Sequence, residues 1–338
     1  MRLIFFSPLF RLILALALIE GLGAPPGPAL AETPDRRLTI LAGLQESPKG
    51  WPGLLAELPA ALGPQLAARV RISYQPEADG VLAANRLALA NLDGNLLGAL
   101  PMVAMVTRVL EDRTPYLMTD FQPTLLAPGQ TYALLAPRAA TFNNFRDLAQ
   151  VPRLTLLHDG LDPLSPGTLA ALGALRDLGL QPALTYRSPL TPLDLETVPN
   201  SVMAWPLEAT TVADPAAPPY KIIAVLTDRP ATPCAPPGLS LDEAKIQIPI
   251  QDYLGLYFPK GSIQAETDQM AQALLAALAE PRIQELAQAN CLDLRPQYLL
   301  GPAAAEKFLA SQVANQTQLR QAWLKPAPSP RNPRSDND

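Results

Sequence analysis

Between residues 38 and 259, short apolar runs of strand length alternate with stretches of helix length, and this alternation restricts the fold more than any other feature of the chain. Leu38 to Ala42 reads as a buried strand, "ARVRISY" (68 to 74) as a second and "NLLGAL" (95 to 100) as a third; "DGVLAANRLALANL" (79 to 92) reads as a helix with Asp79 near its start. Further strand candidates are "TYALLAP" (131 to 137), "RLTLLH" (153 to 158), "ALTYRS" (183 to 188), "SVMAW" (201 to 205) and "YKIIAVLT" (220 to 227), with helices such as "SPGTLAALGALRDLGL" (165 to 180) between them. Strands separated by helix-length segments predict an α/β protein with parallel sheets of βαβ units. After "QDYLGLYFP" (251 to 259) the pattern becomes helical to the end, and no internal repeat is visible.

What precedes Leu38 sets the compartment. "MRLIFFSPLFRLILALALIEGLGAPPGPALA" carries Arg2 and Arg11 ahead of the apolar "LILALALI" and closes on Ala29, Leu30 and Ala31. Residues 1–31 therefore read as a signal peptide cleaved before Glu32. The alternative is an uncleaved anchor, but the apolar run after Arg11 is shorter than the roughly 20 residues a membrane span needs. The expected location is periplasmic. In such an oxidising space the two cysteines, Cys234 and Cys291, suggest a disulfide; two buried free thiols are the other arrangement the count allows. Proline is frequent, 39 of 338 residues, and stiffens the connections, while residues 324–338, "KPAPSPRNPRSDND" with the preceding Leu324, are expected to be a disordered tail.

Enzymatic and nucleic-acid readings find little support. The 26 basic and 31 acidic residues give a formal charge of −5 with no basic stripe, which argues against a nucleic-acid partner. There is no G-x-S-x-G elbow to go with His158, no P-loop and no G-x-G-x-x-G, so neither catalysis nor a cofactor is expected. His158 is the only histidine and has no second His or Cys at ligand spacing, so no metal is expected either.

The local sequence does resemble a known family. "ISYQPEADGVLAANRLALANLDGNLLGAL", with Pro76, Ala78, Gly80, Ala84 and Gly98, is similar to the strand, P-x-A-x-G loop and small-residue helix of the substrate-binding proteins of tripartite tricarboxylate transporters. "TDFQPTLLAPGQTYALLAP" resembles that family's K-D-F-x-P segment and following strand, and "FNNFRDLAQ" its short helix. "DYLGLYFPKGSIQAETDQMAQALLAALAEPRIQELAQANCLDLRP" resembles its aromatic-x-G-[LI]-[FY]-x-P-x-G strand and the helices after it. The resemblance runs from about residue 38 to 323. It departs from the family in three loops: "QESPKGW" stands for a glycine-rich P-G-G-x-[TS]-D loop, "HDGLDPLSPGTLA" for a Gly/Ser-rich loop ending in His, and "YRSPLTP" for Y-K-G-x-x-P.

The resemblance implies a two-lobed periplasmic binding protein fold of type II with C-terminal helices. Lobe one would comprise 32–131 plus 254–323 and lobe two 132–253, with "TYALLAP" and "YLGLYFP" as the two crossing hinge strands. The ligand would be a small carboxylate held in the cleft between the lobes by a monomer and delivered to the membrane permease subunits of a tripartite transporter. A periplasmic sensor or scaffold with the same fold is the alternative. Candidate ligand contacts are Ser47, Lys49 and Gly50 in the first loop, the family-matched Gly98, and His158 at a strand end. In the second lobe they are Ser165, Gly167 and Thr168 at a helix start that would present amides to an anion, and Arg187 and Ser188 where the family loop carries a lysine.

Overall fold

The computed structural model describes residues 36–159, 165–210, 218–227, 229, 233–241, 246, 248 and 250–323. The expected signal peptide over 1–31 and tail over 324–338 lie outside them.

The first lobe is built on β1 (Arg36–Ala42), β2 (Ala68–Tyr74), β3 (Leu96–Pro101), β4 (Phe121–Pro128) and β10 (Tyr253–Pro259), in the order β2-β1-β3-β10-β4. Helix α1 (Gly50–Leu66) joins β1 to β2, and α2 (Val81–Ala88) joins β2 to β3. They cover opposite faces. Leu38, Ile40 and Ala42 of β1 pack with Leu54, Leu58 and Leu62 of α1, whereas Leu41 packs with Ala84 and Leu87 of α2. A strand buried on both faces needs a continuous apolar run, which β1 supplies over Ile40 to Ala42, beyond the half-exposed Thr39.

The second lobe carries β5 (Tyr132–Pro137), β6 (Thr155–Asp159), β7 (Ala183–Arg187), β8 (Ser201–Pro206) and β9 (Tyr220–Leu226), in the order β7-β6-β8-β5-β9. Helix α3 (Pro166–Asp177) follows β6, and a helical turn, Leu207–Thr210, follows β8. The chain closes with α4 (Gln264–Leu278), α5 (Pro281–Ala289) and α6 (Pro302–Trp323). Each sheet repeats one plan: three strands in parallel, then one antiparallel strand brought in beside them.

Both sheets are therefore mixed, not parallel as the alternation predicts. β10 is antiparallel to β3 and β4, and β5 is antiparallel to β8 and β9. The βαβ rule governs strands joined by a helix lying on one face of the sheet. β5 and β10 instead each arrive from the other lobe. The sequence reading also passes over β4, whose Pro123 and Pro128 argue against a strand. The sheet tolerates them because β4 is its last strand, where a missing N–H disrupts no inner pairing.

The crossings between lobes are shorter than the strands expected to make them. All of "TYALLAP" but Thr131 lies within the second sheet and "YLGLYFP" within the first, each strand beginning where a crossing ends. Residues 129–131 form the outgoing crossing, and the returning chain passes Gly129 at Asp252. A Cβ on Gly129 would stand 2.6 Å from the Asp252 carboxylate, so the approach requires glycine.

Two further connections span the lobes. The chain after β9 pairs again with the second sheet at Leu239 and Leu241 through Val225, while Cys234, between them and β9, is disulfide-bonded to Cys291 just beyond α5. Helix α6 holds Leu319 against Leu169 of α3 and Ile250. Its Gln312 side chain accepts a hydrogen bond from the amide of Gln251 at 3.2 Å.

Candidate functional site

Strand ends of the two sheets enclose a cavity of about 390 Å³ at the hinge, within the size range of small-molecule sites. The loop between β1 and α1 and the first turn of α1 supply Gln45, Ser47 and Lys49 to Pro52, the outgoing crossing supplies Gly129 and Gln130, and the start of β5 supplies Tyr132. Pro166 begins α3 on the far wall, Glu208 comes from the turn after β8, Asp252 lies on the returning crossing and Tyr253 begins β10.

The first loop is anchored from three sides. Gly50, at φ +61°, donates its amide to Asn290 Oδ1 at 2.7 Å; Trp51 Nε1 donates to the carbonyl of Pro128 at 2.8 Å; and Tyr74 donates its hydroxyl to the carbonyl of Pro52 at 2.8 Å. The left-handed backbone at Gly50 favours glycine. Helix α1 consequently has few amides left for an anion, because Pro52 has none and Gly53 N–H donates to the carbonyl of Lys49 at 3.4 Å.

Gln130 organises the opposite side. Its backbone amide donates to Asp252 Oδ2 at 3.0 Å and its side-chain amide donates to Glu208 Oε1, so one residue holds both carboxylates. Burial raises the Asp252 pKa to about 7 and nearby Glu208 adds to the rise, against the lowering effects of Arg229 and of the Gln130 and Tyr253 amides. Burial also raises the pKa of Glu208, opposed by Gln130 and by the charge of Lys49. The Tyr132 hydroxyl is pushed well above its usual value by burial, then by Asp252 and Glu208.

The structure brings together some of the residues expected from sequence and separates others. Ser47, Lys49 and Gly50 line the cavity. At the start of α3 it is Pro166 that lines it, while Ser165 Oγ caps the helix, accepting from Thr168 N–H at 3.3 Å and lying 2.8 Å from Thr168 Oγ1. Gly167 sits under the Tyr132 ring, where an added Cβ would be 2.6 Å from the nearest ring carbon. Of the loop ahead of this helix, residues 160–164 lie outside the described residues.

Gly98 lies inside β3 under α2, with a Cβ position 2.5 Å from Leu87, and faces the packed interior. His158 is buried beside the Tyr186 ring, centroids 6.1 Å apart, and is not a lining residue. Arg187 ends β7, the outermost strand of its sheet, and donates to the carbonyl of Tyr186 at 3.0 Å; Ser188 follows it into a cis peptide bond with Pro189. Cavity residues that sequence reasoning did not name as contacts include Trp51, Gln130, Tyr132, Glu208 and Asp252. Four of the five adjoin segments already singled out: Trp51 the first loop, Gln130 and Tyr132 the strand "TYALLAP", and Asp252 the strand "YLGLYFP". Among the described residues no group of three or more His, Cys, Asp or Glu could hold a metal ion, and no helix is long and apolar enough to cross a membrane.

No family model and no curated protein matches the chain. Solved structures do. A TctC solute binding protein from Polaromonas, without ligand, superposes with a TM-score of 0.69 at 16% identity over 86% of this chain and 99% of that one. MatC from Rhodopseudomonas palustris with bound malate gives 0.60 at 18% identity over 85% and 99%, and the R. palustris protein Rpa4515 with adipate gives 0.63 at 16% over 85% and 97%. Identities this low establish architecture rather than ligand, and with the two mixed sheets and the paired crossings they show that the chain has the two-lobed α/β fold of periplasmic binding proteins.

Proposed function

We propose that the chain is an extracytoplasmic solute-binding protein that captures a small carboxylate between its lobes and delivers it to the permease subunits of a tripartite transporter, after export and removal of residues 1–31. The observation that carries this reading is the cavity of about 390 Å³ walled by both lobes at the point where the chain crosses between them. Hinge closure around a ligand follows from that position, since only a closed form presents both walls at once. Two proteins of the same fold hold malate and adipate, which supports a carboxylate as the ligand class. The proposed lining contacts are Ser47, Lys49 and Gln130. Ser165, Gly167 and Thr168 shape the far wall, through the cap and through Tyr132.

Titration calorimetry of the processed protein with short mono- and dicarboxylates tests the reading. Saturable binding accompanied by a smaller radius of gyration in solution scattering is the expected result. Absence of binding by every carboxylate, with no compaction, would overturn it in favour of a sensor or scaffold.

A further inference from the structure

The sequence contains no basic run, yet strand pairing assembles a basic patch on the first lobe. Arg37 of β1 is the parallel partner of Arg69 in β2, and Thr39 is that of Arg71, whose Nε donates to the Thr39 hydroxyl at 2.9 Å. Val70, Ile72 and Tyr74 of β2 pack toward α1, so Arg69 and Arg71, which alternate with them, stand on the opposite face, the one that α2 covers. Helix α2 is eight residues long and ends at an open groove of about 620 Å³, where Thr39 lies beside Leu82, Arg86 and Leu89. Arg37, Arg69, Arg71 and Arg86 are all exposed, and among the described residues none of them forms an ion pair. Asp93 is the one acid among the described residues that line the groove.

Like charges at paired strand positions repel, and the chain as a whole carries −5, so this concentration of unneutralised positive charge is complementary to an anionic partner. Two observations select the kind of anion. Leu89 and Leu82 border the same groove and are 79% and 48% exposed, an apolar surface that a purely polar partner leaves uncovered. The chain enters the lobe at Arg36, and Arg37 is six residues, at most about 20 Å, from Ala31, where the apolar leader expected from the sequence ends. We propose that this face docks on an anionic membrane, with the four arginines against lipid phosphates and Leu82 and Leu89 at headgroup depth. Basic charge and apolar side chains together supply the two signals that peripheral attachment requires, and they keep the protein at the bilayer after the leader is removed. The patch lies at the N-terminal ends of the strands, the pole of the lobe opposite the cavity, so the inference is independent of what the cleft binds.

Co-sedimentation of the protein from Glu32 onward, the exported form proposed above, with vesicles of phosphatidylglycerol and phosphatidylcholine in equal parts tests this, against vesicles of phosphatidylcholine alone. The expected result is binding to the anionic vesicles that weakens as salt rises. Binding should be about tenfold or more weaker in an Arg69→Gln, Arg71→Gln double variant and should also fall in Leu89→Ser, with urea midpoints unchanged. Wild type that stays in solution with anionic vesicles would overturn the inference, as would either variant binding like wild type. Retention on immobilised poly-glutamate without vesicle binding would overturn it in favour of an acidic protein partner. Should the double variant fold poorly, Arg86→Gln on α2 reads the same contact.

Discussion

The amide of Gly129 donates to the carbonyl of Asp252 at 2.8 Å, joining the outgoing and returning crossings at the floor of the cavity. The Asp252 side chain takes the next amide along, that of Gln130, at 3.0 Å. One residue thus fastens the hinge with its backbone and lines the cleft with its side chain, so changes at 252 act on both stability and binding.

Asp252 should make stability fall as pH rises. Its folded-state pKa of about 7 lies above the value of about 3.9 for an unfolded aspartate, so between these limits the native state binds the extra proton. Its contribution is complete below about pH 4 and is lost as pH climbs through 7. Arg229 and Glu208 face the same carboxyl and remain in place in an Asp252→Asn variant. Denaturant midpoints at pH 5 and pH 8 should differ more in wild type than in that variant; equal differences would contradict the assignment.

Gly167→Ala should destabilise the protein by about 1–3 kcal/mol, the usual range for forcing atoms into a packed site. The Tyr132 ring is the group that must move, and it moves at the cavity wall, so affinity should fall as well. Gly301→Ala, whose new Cβ meets nothing within 4 Å, is the matched control. Chemical denaturation and calorimetry on both variants check this.

Lys49→Ala should weaken carboxylate binding about ten- to a hundredfold, the equivalent of losing one charged hydrogen bond of about 1.5–3 kcal/mol. Arg187→Ala should change it less than about twofold, since Arg187 bonds to its own strand outside the cavity. Titration of one ligand into both variants checks the pair, and the reverse order would return the ligand contact to the β7 end.

Replacing both Cys234 and Cys291 by serine should cost about 4 kcal/mol, from the chain entropy released when a bridge with a sequence separation of 57 is opened. Urea midpoints of the double variant and of wild type, each without reductant, measure the difference.

Much of the scaffold was legible in the sequence because strand burial leaves a period: Ile40 to Ala42, covered on both faces, is unbroken apolar, while the edge strand "ARVRISY" alternates apolar residues with Arg69, Arg71 and Ser73. "ARVRISY" is β2 residue for residue, and the strand expected over 220 to 227 ends one residue earlier, at Leu226. The helix expected over 79 to 92 shortens to Val81–Ala88, since Ala78 and Asp79 adopt left-handed φ values of 50° and 59° in a turn that helical periodicity does not reveal. The site was less legible. Lys49 and Ser47 were found because a polar loop follows a strand, but Glu208 and Asp252 acquire meaning only when Gln130, distant from both in sequence, bonds to them. Gly98 and Arg187 carried a family pattern without a place in the cavity: one is needed for packing against Leu87, the other ends an outer strand.

The bridge from Cys234 to Cys291 also decides what a mechanical force applied at the two ends could extend. The closed ring contains β10, the returning crossing and both α4 and α5, whereas β3 and β4, the neighbours of β10, lie outside it. Pulled from its termini, the oxidised molecule can lose both sheets and still keep these residues out of the stretched contour. Its full extension falls short of the reduced chain by roughly 200 Å, at about 3.5 Å for each of the sequestered residues.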